Sequence, residues 1–504
     1  MNQRKAGTVL SYVYFIVNNG ISLIYTPYML RMMGQGEYGL YGTANSFVSY
    51  LSVLSFGIGG AYIRFNARYR AENDLEGEKR LNGMFLTIFS LLSLLVFIGG
   101  IGLICLAGPL THNTFSHQEL FKLRVMILLL TLNTMCTFIF NVVMMALMAY
   151  EKFVIIRGTL LLAAIITPIL NIVALNMGGK AISITAISVT VSVMTYLIYY
   201  IFAKRTIGLK FSFKGFQFNI MKEIFVFSSF LFINSITDQI TSSTDQVILS
   251  AVKGAASVAV YTIGASFRIY FMNFSTSISG VFAPQVNMIV AQLGSLTELN
   301  GLFIKIGRIQ FYVLSLVLIG YSIIGKEFIL LWAGKDYGDS FWIGLLLMAS
   351  TFIPCFQNVG IEIQKAMNRH KARSIAYLLV ALANIALTIP FAQYAGGIGA
   401  AFATFLCVVF GQVIFMNFYY AKYIHLDIGA FWKSICSIIP GYIIPVIIGL
   451  ILKRVWGVHS FLDVLIIAVI ITLSFCISVW LFSMNAYEKG LVKRMAGKFL
   501  RKKK

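Results

Sequence analysis

Long apolar runs separated by short polar loops are the feature that most constrains how this chain can fold. A bilayer core is about 30 Å thick and takes about 20 helical residues to cross, so each run is long enough to span it. Lipid cannot satisfy an exposed backbone, and the alternating ten-residue segments of a barrel are absent. The sequence therefore predicts an all-α integral membrane protein with about 14 transmembrane helices. We place the spans at residues 8–33, 38–63, 82–107, 124–149, 154–176, 181–203, 223–250, 255–282, 308–332, 341–364, 373–394, 397–420, 433–452 and 461–484.

Composition excludes other classes of protein. Apolar residues make up 59% of the 504 residues and charged residues only 12%, whereas a soluble chain carries about 25% charged residues. This rules out a soluble enzyme, a single-anchor receptor and a disordered chain. The net charge of +22 would suggest nucleic acid in a soluble protein. Here the basic residues lie in short loops, so membrane topology and anionic lipid explain them and no nucleic-acid partner is expected.

The distribution of basic residues predicts the orientation. With the amino terminus inside, the cytoplasmic segments hold 30 lysines and arginines, the opposite side holds nine, and Arg268 lies within a span. Such an excess marks the cytoplasmic side. We therefore expect both termini in the cytoplasm. The basic tail from Lys489 onward is either an amphipathic helix on anionic lipid or a solvated, topology-setting segment.

The chain also repeats itself. The pair Gly178-Gly179 recurs as Gly396-Gly397, and "GEYGLY" ending at Tyr41 matches "ASVAVY" ending at Tyr261, at nearly the same offset. An even number of spans gives two six-helix lobes related by a parallel pseudo-twofold axis, with a substrate cavity between them. We predict an N-terminal lobe, a C-terminal lobe, two extra C-terminal helices and a basic cytoplasmic tail, at 1–222, 223–425, 426–484 and 485–504.

One stretch resembles a known family. Residues 27–72 read "PYMLRMMGQGEYGLYGTANSFVSYLSVLSFGIGGAYIRFNARYRAE". In order, this stretch contains a helix end, a polar second helix, Gly57-Ile58-Gly59 and a charged loop. This order resembles bacterial polysaccharide flippases of the O-antigen type, in the superfamily of multidrug antiporters and the lipid II flippase. The resemblance implies translocation of a polyprenyl-pyrophosphate-linked oligosaccharide to the outer leaflet of the bacterial inner (plasma) membrane. It implies use in O-antigen, capsule or exopolysaccharide synthesis, beside glycan-assembly proteins, and no enzymatic activity.

Charges inside the spans are the leading candidates for function, because burying a charge in a membrane is expensive. Arg268 lies about halfway along 255–282, and its guanidinium suits the pyrophosphate. Asp238 and Asp245 lie seven residues apart in 223–250, so they share a helix face. We expect these carboxylates to sense a coupling ion, H⁺ or Na⁺. The alternative is a buried Asp238–Arg268 pair that only aligns two helices.

Three further polar residues are candidates for substrate binding. Arg64 ends a span on the predicted cytoplasmic side, where it would meet a lipid phosphate, or it snorkels to the interface. Asn18 and Asn19 occupy the position that matches Asp238 in the repeat, and polar helix packing explains them equally well.

Two other classes of function compete with the flippase. An ion-coupled multidrug or metabolite antiporter has the same fold, although cationic drugs would favour an acidic cavity. A membrane glycan polymerase or acyltransferase is disfavoured, because the longest external loop is about 15 residues and the five histidines fall in loops or at span ends. Each Gly-Lys pair lacks a following Ser or Thr, so there is no phosphate-binding ATPase loop. We expect no cofactor and no metal.

Overall fold

The computed structural model describes residues 3–55, 58–111, 114–214, 218–292, 295–367, 369 and 371–501, with most of their side chains. Gly57, His112, His370 and residues 502–504 lie outside the described residues. Across the described residues the chain forms helices and turns and no strand. The all-α fold predicted from the apolar runs is therefore confirmed.

The chain divides into two compact units. The first comprises Met1–Thr262 and Ile385–Ala400, and the second comprises Ile263–Asn384 and Ala401–Lys504. The first unit holds α1 Gln3–Ser52, α2 Gly59–Ala71, α3 Leu75–Leu110, α4 His117–Ala149, α5 Phe153–Asn176, α6 Ala181–Thr206, α7 Phe218–Lys253 and the first turns of α8 Ala255–Ala291.

The second unit holds most of the remaining helices. They are the rest of α8, α9 Leu296–Trp332, α10 Ser340–Phe356, α11 Val359–Ala366, α12 Lys371–Val408, α13 Phe415–Tyr419, α14 Ile428–Cys436, α15 Ile443–Trp456, α16 Phe461–Phe482 and α17 Ala486–Arg501. The middle of α12 belongs to the first unit. These units group the helices by contact, and the division into lobes at 1–222 and 223–425 stays a prediction.

Each of the fourteen predicted spans lies mainly on helix within the described residues, although 38–63 crosses the end of α1 and 341–364 crosses the turn between α10 and α11. Within the described residues, eleven segments are long and apolar enough to cross a membrane, and two of them each contain two predicted spans. In α1 the spans are separated by Gly34, whose φ is 77°, and in α12 by Gly396, whose φ is 58°. Glycine has no Cβ and adopts this left-handed backbone at little steric cost. The helix α7 is not among the eleven, and its second half is rich in Asp, Ser, Thr and Gln.

Several predicted boundaries are wrong. The helix α9 begins at Leu296 rather than 308, because the Ser295 hydroxyl caps it by accepting from the Glu298 backbone N–H at 3.2 Å. The span at 433–452 is interrupted by the 3-10 turn Ile439–Tyr442, which contains Pro440. Proline lacks the N–H that a continuous helix needs. Apolar content locates a helix but not the caps and breaks that define its ends.

The two segments that the repeat pairs, 36–41 and 256–261, belong to helices that pack against each other in the first unit. A Cβ added to Gly39 would lie 1.8 Å from the backbone oxygen of Ala255. A Cβ on Gly42 would lie 3.4 Å from the Val258 side chain. The second half of α1 and the start of α8 therefore approach more closely at Gly39 than any side chain would allow.

The C-terminal tail is helical and is attached to the second unit by a buried ion pair. Arg308 on α9 donates from Nε to Glu488 Oε1 at 2.5 Å and from Nη2 to Oε2 at 2.9 Å. The two side chains are only 6% and 7% exposed. The Tyr312 hydroxyl also donates to Glu488, and Arg308 donates to the backbone oxygen of Ser434. The start of α17 is therefore docked, whereas the sequence left its structure open.

Candidate functional site

Asp245 is a buried carboxylate in the first unit. Only 3% of the residue is exposed. The carboxylate accepts a hydrogen bond from the Tyr261 hydroxyl on α8 and another from the Thr388 hydroxyl on α12, the latter at 3.2 Å. An ionised carboxylate out of water is costly unless it is hydrogen-bonded or protonated. These two hydrogen bonds come from neutral hydroxyls, which stabilise the carboxylate without adding a counter-charge.

A band of hydrogen bonds between α1 and α7, here called the polar seam, positions Asp245. Gln239 donates to Ser49, the hydroxyl oxygens of Ser49 and Ser243 lie 3.1 Å apart, and Ser46 donates to Gln246. The hydroxyls of Tyr50 and Thr244 are also hydrogen-bonded. Interhelical hydrogen bonds in membranes contribute about 0.6 kcal/mol each on average. Because Asp245 lies between two seam residues in sequence, the seam fixes its position along the helix.

Asp238 differs from Asp245 in its surroundings. The two residues are seven apart on α7, and this spacing puts them on one face of the helix. Asp238 is exposed, however, while Asp245 is buried. The periodicity correctly gave a shared face, but it could not show that only one of the two carboxylates is covered by neighbouring helices.

Arg268 lies in the second unit, on the part of α8 that packs against α9 and α10. Its neighbour Phe267 lies 5.1 Å from Tyr321 between ring centroids, and Phe271 lies 6.2 Å from Phe352. The Arg268 side chain itself is half-buried. Within the described residues of its unit, it makes no hydrogen bond and no ion pair. The packed aromatic residues therefore anchor this part of α8, and the guanidinium has no protein partner among the described residues of its unit.

Arg64 is exposed on α2, with its guanidinium carbon 5.9 Å from the centroid of the Phe65 ring. Two turns further on, Arg70 donates to the backbone oxygen of Ala149 at 2.7 Å and lies 4.0 Å from the Tyr150 ring centroid. Arg70 therefore contacts the end of α4, and both arginines are exposed. Contact between Arg64 and a lipid phosphate stays a prediction.

A cavity of about 580 Å³ lies inside the first unit, between the first half of α1 and helices α4, α5 and α6. We call it the hydroxyl cavity, because most of its lining side chains carry a hydroxyl or an amide. No charged residue is found among the described residues that line it. Asn18, Asn141 and Asn171 contribute amides from three different helices. The sequence predicted a cavity between the two lobes, not one within the helices of the first unit.

Of the two adjacent asparagines predicted to bind substrate, only one lines the hydroxyl cavity. Asn18 lines the cavity. Asn19 is half-buried, and its side-chain amide donates to the Phe15 backbone oxygen of its own helix at 2.7 Å. Consecutive residues on a helix point about 100° apart, so the two side chains face different surroundings. Asn18 is therefore placed to contact a ligand, while Asn19 serves its own helix.

Sequence reasoning missed two acidic residues of the first unit, the buried Glu78 and the half-buried Glu37. Glu37 forms an ion pair with Lys122 and accepts from the Ala181 backbone N–H at the start of α6. Glu78 accepts from the Tyr150 hydroxyl at 3.0 Å and from the Asn66 amide at 3.1 Å. Their partners are distant in sequence, so no local pattern marks them. Glu37 lies three residues after the Gly34 kink, in the motif that carries the family resemblance.

The fold and the site define a class of protein. Apolar helices long enough to span a bilayer contain a buried carboxylate, a half-buried arginine and a polar cavity. Such groups are rare in membrane helices and are candidates for function. The chain is a multi-pass membrane protein with polar and ionisable groups among its spanning helices.

Comparison with known proteins gives the family. Residues 5–290 match the family described as polysaccharide biosynthesis protein, so the chain belongs to that family. No curated protein matches the sequence significantly.

Solved structures share the fold at low identity. The lipid II flippase MurJ in an inward closed conformation gives a TM-score of 0.72 at 18% identity, covering 94% of this chain and 98% of that one. An inward-facing multidrug resistance transporter of the MATE family gives 0.57 at 16%, covering 83% and 95%. A mutant of the Vibrio cholerae MATE transporter VcmN gives 0.52 at 12%, covering 84% and 99%. The fold is therefore shared with a flippase and with multidrug exporters.

Proposed function

We propose that this protein is a flippase that moves a polyprenyl-pyrophosphate-linked oligosaccharide from the cytoplasmic to the outer leaflet of the bacterial inner (plasma) membrane. The glycan would serve surface polysaccharide synthesis, as O-antigen, capsule or exopolysaccharide. The observation that carries this proposal is the family match over residues 5–290. The fold shared with a lipid II flippase supports it.

Physical chemistry explains why such a substrate needs a protein. A glycan head carrying a pyrophosphate cannot cross about 30 Å of hydrocarbon unaided, because its polar groups would lose their hydrogen bonds to water. In the proposed mechanism the lipid tail stays in the bilayer while the lobes rock and expose the head to each side in turn. Both termini lie in the cytoplasm in this scheme, as the excess of basic residues on that side supports.

Arg268 and Asp245 have separate roles in this scheme. The Arg268 guanidinium offers a fixed fork of donors that stays ionised, which suits a pyrophosphate. Asp245 is the coupling group that takes up H⁺ or Na⁺, with Asp238 as a second, exposed carboxylate. Arg64 meets the lipid phosphate as it arrives from the cytoplasmic leaflet. Asn18 contacts the substrate, and Asn19 supports the helix beside it.

The role of Arg268 is tested by surface glycan display in cells whose gene for this protein has been replaced by a gene for one of its variants. We expect Arg268→Ala to abolish display without lowering protein abundance. Arg268→Lys should restore it only in part, since an ammonium lacks the fork. Arg454→Ala, which changes an exposed arginine of the same unit, is the matched control and should leave display unchanged. Normal display with Arg268→Ala would remove this residue from the mechanism.

An ion-coupled multidrug or metabolite antiporter is the second candidate. The buried Asp245 favours it, together with the fold shared with MATE transporters. The two candidates differ in their substrates. Uptake of cationic dyes into inverted vesicles that depends on this protein, without any translocation of lipid-linked glycan, would favour the antiporter.

A further inference from the structure

The hydroxyl cavity has a lining suited to one class of ligand. It is enclosed by α1, α4, α5 and α6 and has a volume of about 580 Å³, within the range of about 300–1,000 Å³ typical of small-molecule sites. Its walls combine hydroxyls, amides and aromatic rings, and the described residues that line it carry no charge. The cavity therefore offers hydrogen bonds and apolar contact, but no electrostatic attraction for an ion.

One polar atom at the cavity wall lacks a partner among the described residues. Asn171 is 3% exposed, yet its Oδ1 makes no hydrogen bond within the described residues. The Tyr25 hydroxyl lies next to the Asn171 side chain. Buried polar atoms are nearly always hydrogen-bonded, because leaving one unsatisfied costs about 1–3 kcal/mol. This acceptor points to an occupant that can donate a hydrogen bond.

The backbone of α5 adds an acceptor. Pro168 lies inside this helix, so the Ala164 carbonyl loses the N–H that would otherwise bond to it. Both residues line the cavity. The wall thus offers a carbonyl without its usual helical N–H donor, and the Oδ1 of Asn171 two turns further along the same helix. Both are acceptors, and their natural complement is a donor such as a ligand hydroxyl.

Aromatic rings provide the apolar part of the wall. Phe140 and Tyr196 stack with their centroids 5.9 Å apart and their planes 12° apart, and the Tyr196 hydroxyl is paired with Thr137 at 2.8 Å. Tyr14 and Tyr25 line the cavity from α1. A sugar ring presents C–H groups on its faces and hydroxyls at its edge, and such rings match aromatic faces flanked by hydrogen-bonding groups.

We propose that the hydroxyl cavity binds an uncharged sugar residue. This inference rests on the proposed function, because it assigns the sugar to the glycan of the lipid-linked substrate. An anion or a cation would be buried without a counter-charge, which is costly. A purely apolar molecule would leave the Oδ1 of Asn171 unsatisfied.

Direct binding is measured by saturation-transfer NMR on the protein in nanodiscs. The probes are methyl β-galactoside and methyl β-N-acetylglucosaminide, with glucuronate and glucosamine as charged counterparts. We expect transfer to the neutral glycosides only. Asn171→Leu should weaken their binding about tenfold, which corresponds to about 1.4 kcal/mol. Equal transfer to the charged sugars, no transfer to the neutral ones, or unchanged binding by Asn171→Leu would overturn the proposal.

A second variant distinguishes loss of sugar binding from a folding defect. Ala163→Phe fills the cavity from α5, and Leu162→Phe is its matched control, because Leu162 is the preceding residue and is 57% exposed. We expect Ala163→Phe to abolish sugar binding with thermal stability retained, and Leu162→Phe to bind normally. Binding by Ala163→Phe equal to that of the parent would overturn the site.

Liposomes carrying lipid-linked glycan distinguish a bound glycan from a free sugar. Slower translocation by Ala163→Phe places the site on the glycan path. Translocation by the parent with no effect of Ala163→Phe would refute a glycan site while leaving the proposed function standing. Sugar binding by a parent that translocates nothing would instead refute the flippase and leave the cavity as a site for free sugar.

Discussion

Asp245 and Asp238 show how two identical side chains on one helix face acquire different properties. Asp245 is buried and accepts from the hydroxyls of Tyr261 and Thr388, whereas Asp238 is exposed. Binding a proton or sodium ion relieves the cost of a buried charge, while an exposed carboxylate already has water. We therefore assign coupling to Asp245.

Asp245→Asn should remove the response to an ion gradient without unfolding the protein. Asparagine has the same shape and can still accept from Tyr261 and Thr388, but it cannot change its charge. We expect glycan translocation in liposomes to proceed at the same rate with and without a proton or sodium gradient. The parent should be accelerated by one of them.

Asp238→Asn is the matched control on the same helix, and it should respond to gradients as the parent does. If both variants keep the parent's response, α7 is not the coupling element. The carboxylates would then be structural.

The sequence predicted these charged residues but not the polar wall of the hydroxyl cavity. A charge in an apolar run is conspicuous, so Arg268 and Asp245 are visible without coordinates. Asn171 and Tyr25 are ordinary residues of apolar helices. Only the packing of α1 against α5 shows that they line one cavity and that the Asn171 Oδ1 has no hydrogen-bond partner among the described residues.

At the scale of helices, a buried ion pair attaches α17 to α9 in the second unit. Arg308 and Glu488 form a bidentate pair with under a tenth of either side chain exposed. Breaking such a pair by removing one partner costs about 3–5 kcal/mol, because the other charge stays buried. The pair should therefore hold the start of the basic tail against the bundle.

Arg308→Ala should release α17, and limited trypsin digestion measures this through cleavage at Lys489, Lys493 and Arg494. We expect cleavage at these sites to be at least about tenfold faster than in the parent. Arg68→Ala removes an exposed pair with Glu72 and is the control, since exposed pairs contribute about 0–1 kcal/mol. Equal digestion of Arg308→Ala and the parent would show that the pair does not hold the tail.

The attachment should also resist mild acid. Burial alone would raise the pKa of Glu488, but hydrogen bonds from Arg308 and from the Asn485 backbone N–H outweigh it and lower that pKa. A carboxyl with a lowered folded pKa contributes stability above its unfolded pKa of about 4.3 and loses it as pH falls through the folded value. Tail protection should therefore be constant from pH 8 to about pH 5.

Substitution of Gly39 tests the close approach of α1 and α8. An added Cβ would lie 1.8 Å from the backbone of Ala255, so Gly39→Ala forces the helices apart. Overpacking of this kind costs about 1–3 kcal/mol. We expect a lower melting temperature for Gly39→Ala in detergent. Gly36→Ala is the control, because nothing lies within 4 Å of its Cβ. Equal melting temperatures would contradict the contact.

The existence of each helix was predictable, but several ends were not. Apolar runs of about 20 residues mark spans regardless of context, so each of the fourteen predicted spans lies mainly on helix within the described residues. The cap at Ser295, the break at Pro440 and the extension of α9 depend on polar residues outside those runs. The docking of α17 depends on partners 180 residues apart in sequence, which no local pattern reveals.

At the scale of the whole molecule, we expect transport to require movement between the predicted lobes 1–222 and 223–425. The polar seam joins them, because Ser49 lies in one and Ser243 in the other, with their hydroxyl oxygens 3.1 Å apart. Cysteines at both positions, in a background lacking the six native ones, are close enough to form a disulfide. The oxidised protein should not translocate, and reduction should restore activity.

Translocation by the purified protein tests the flippase proposal most directly. Liposomes carry a polyprenyl-pyrophosphate-linked oligosaccharide, and a membrane-impermeant glycosidase added outside reports the fraction of glycan on the outer leaflet. In protein-free liposomes about half of the glycan should stay protected, since its head cannot cross hydrocarbon. We predict that the parent protein makes the protected half accessible and that the oxidised Ser49→Cys/Ser243→Cys protein does not. Equal protection with and without the parent protein would contradict the proposal.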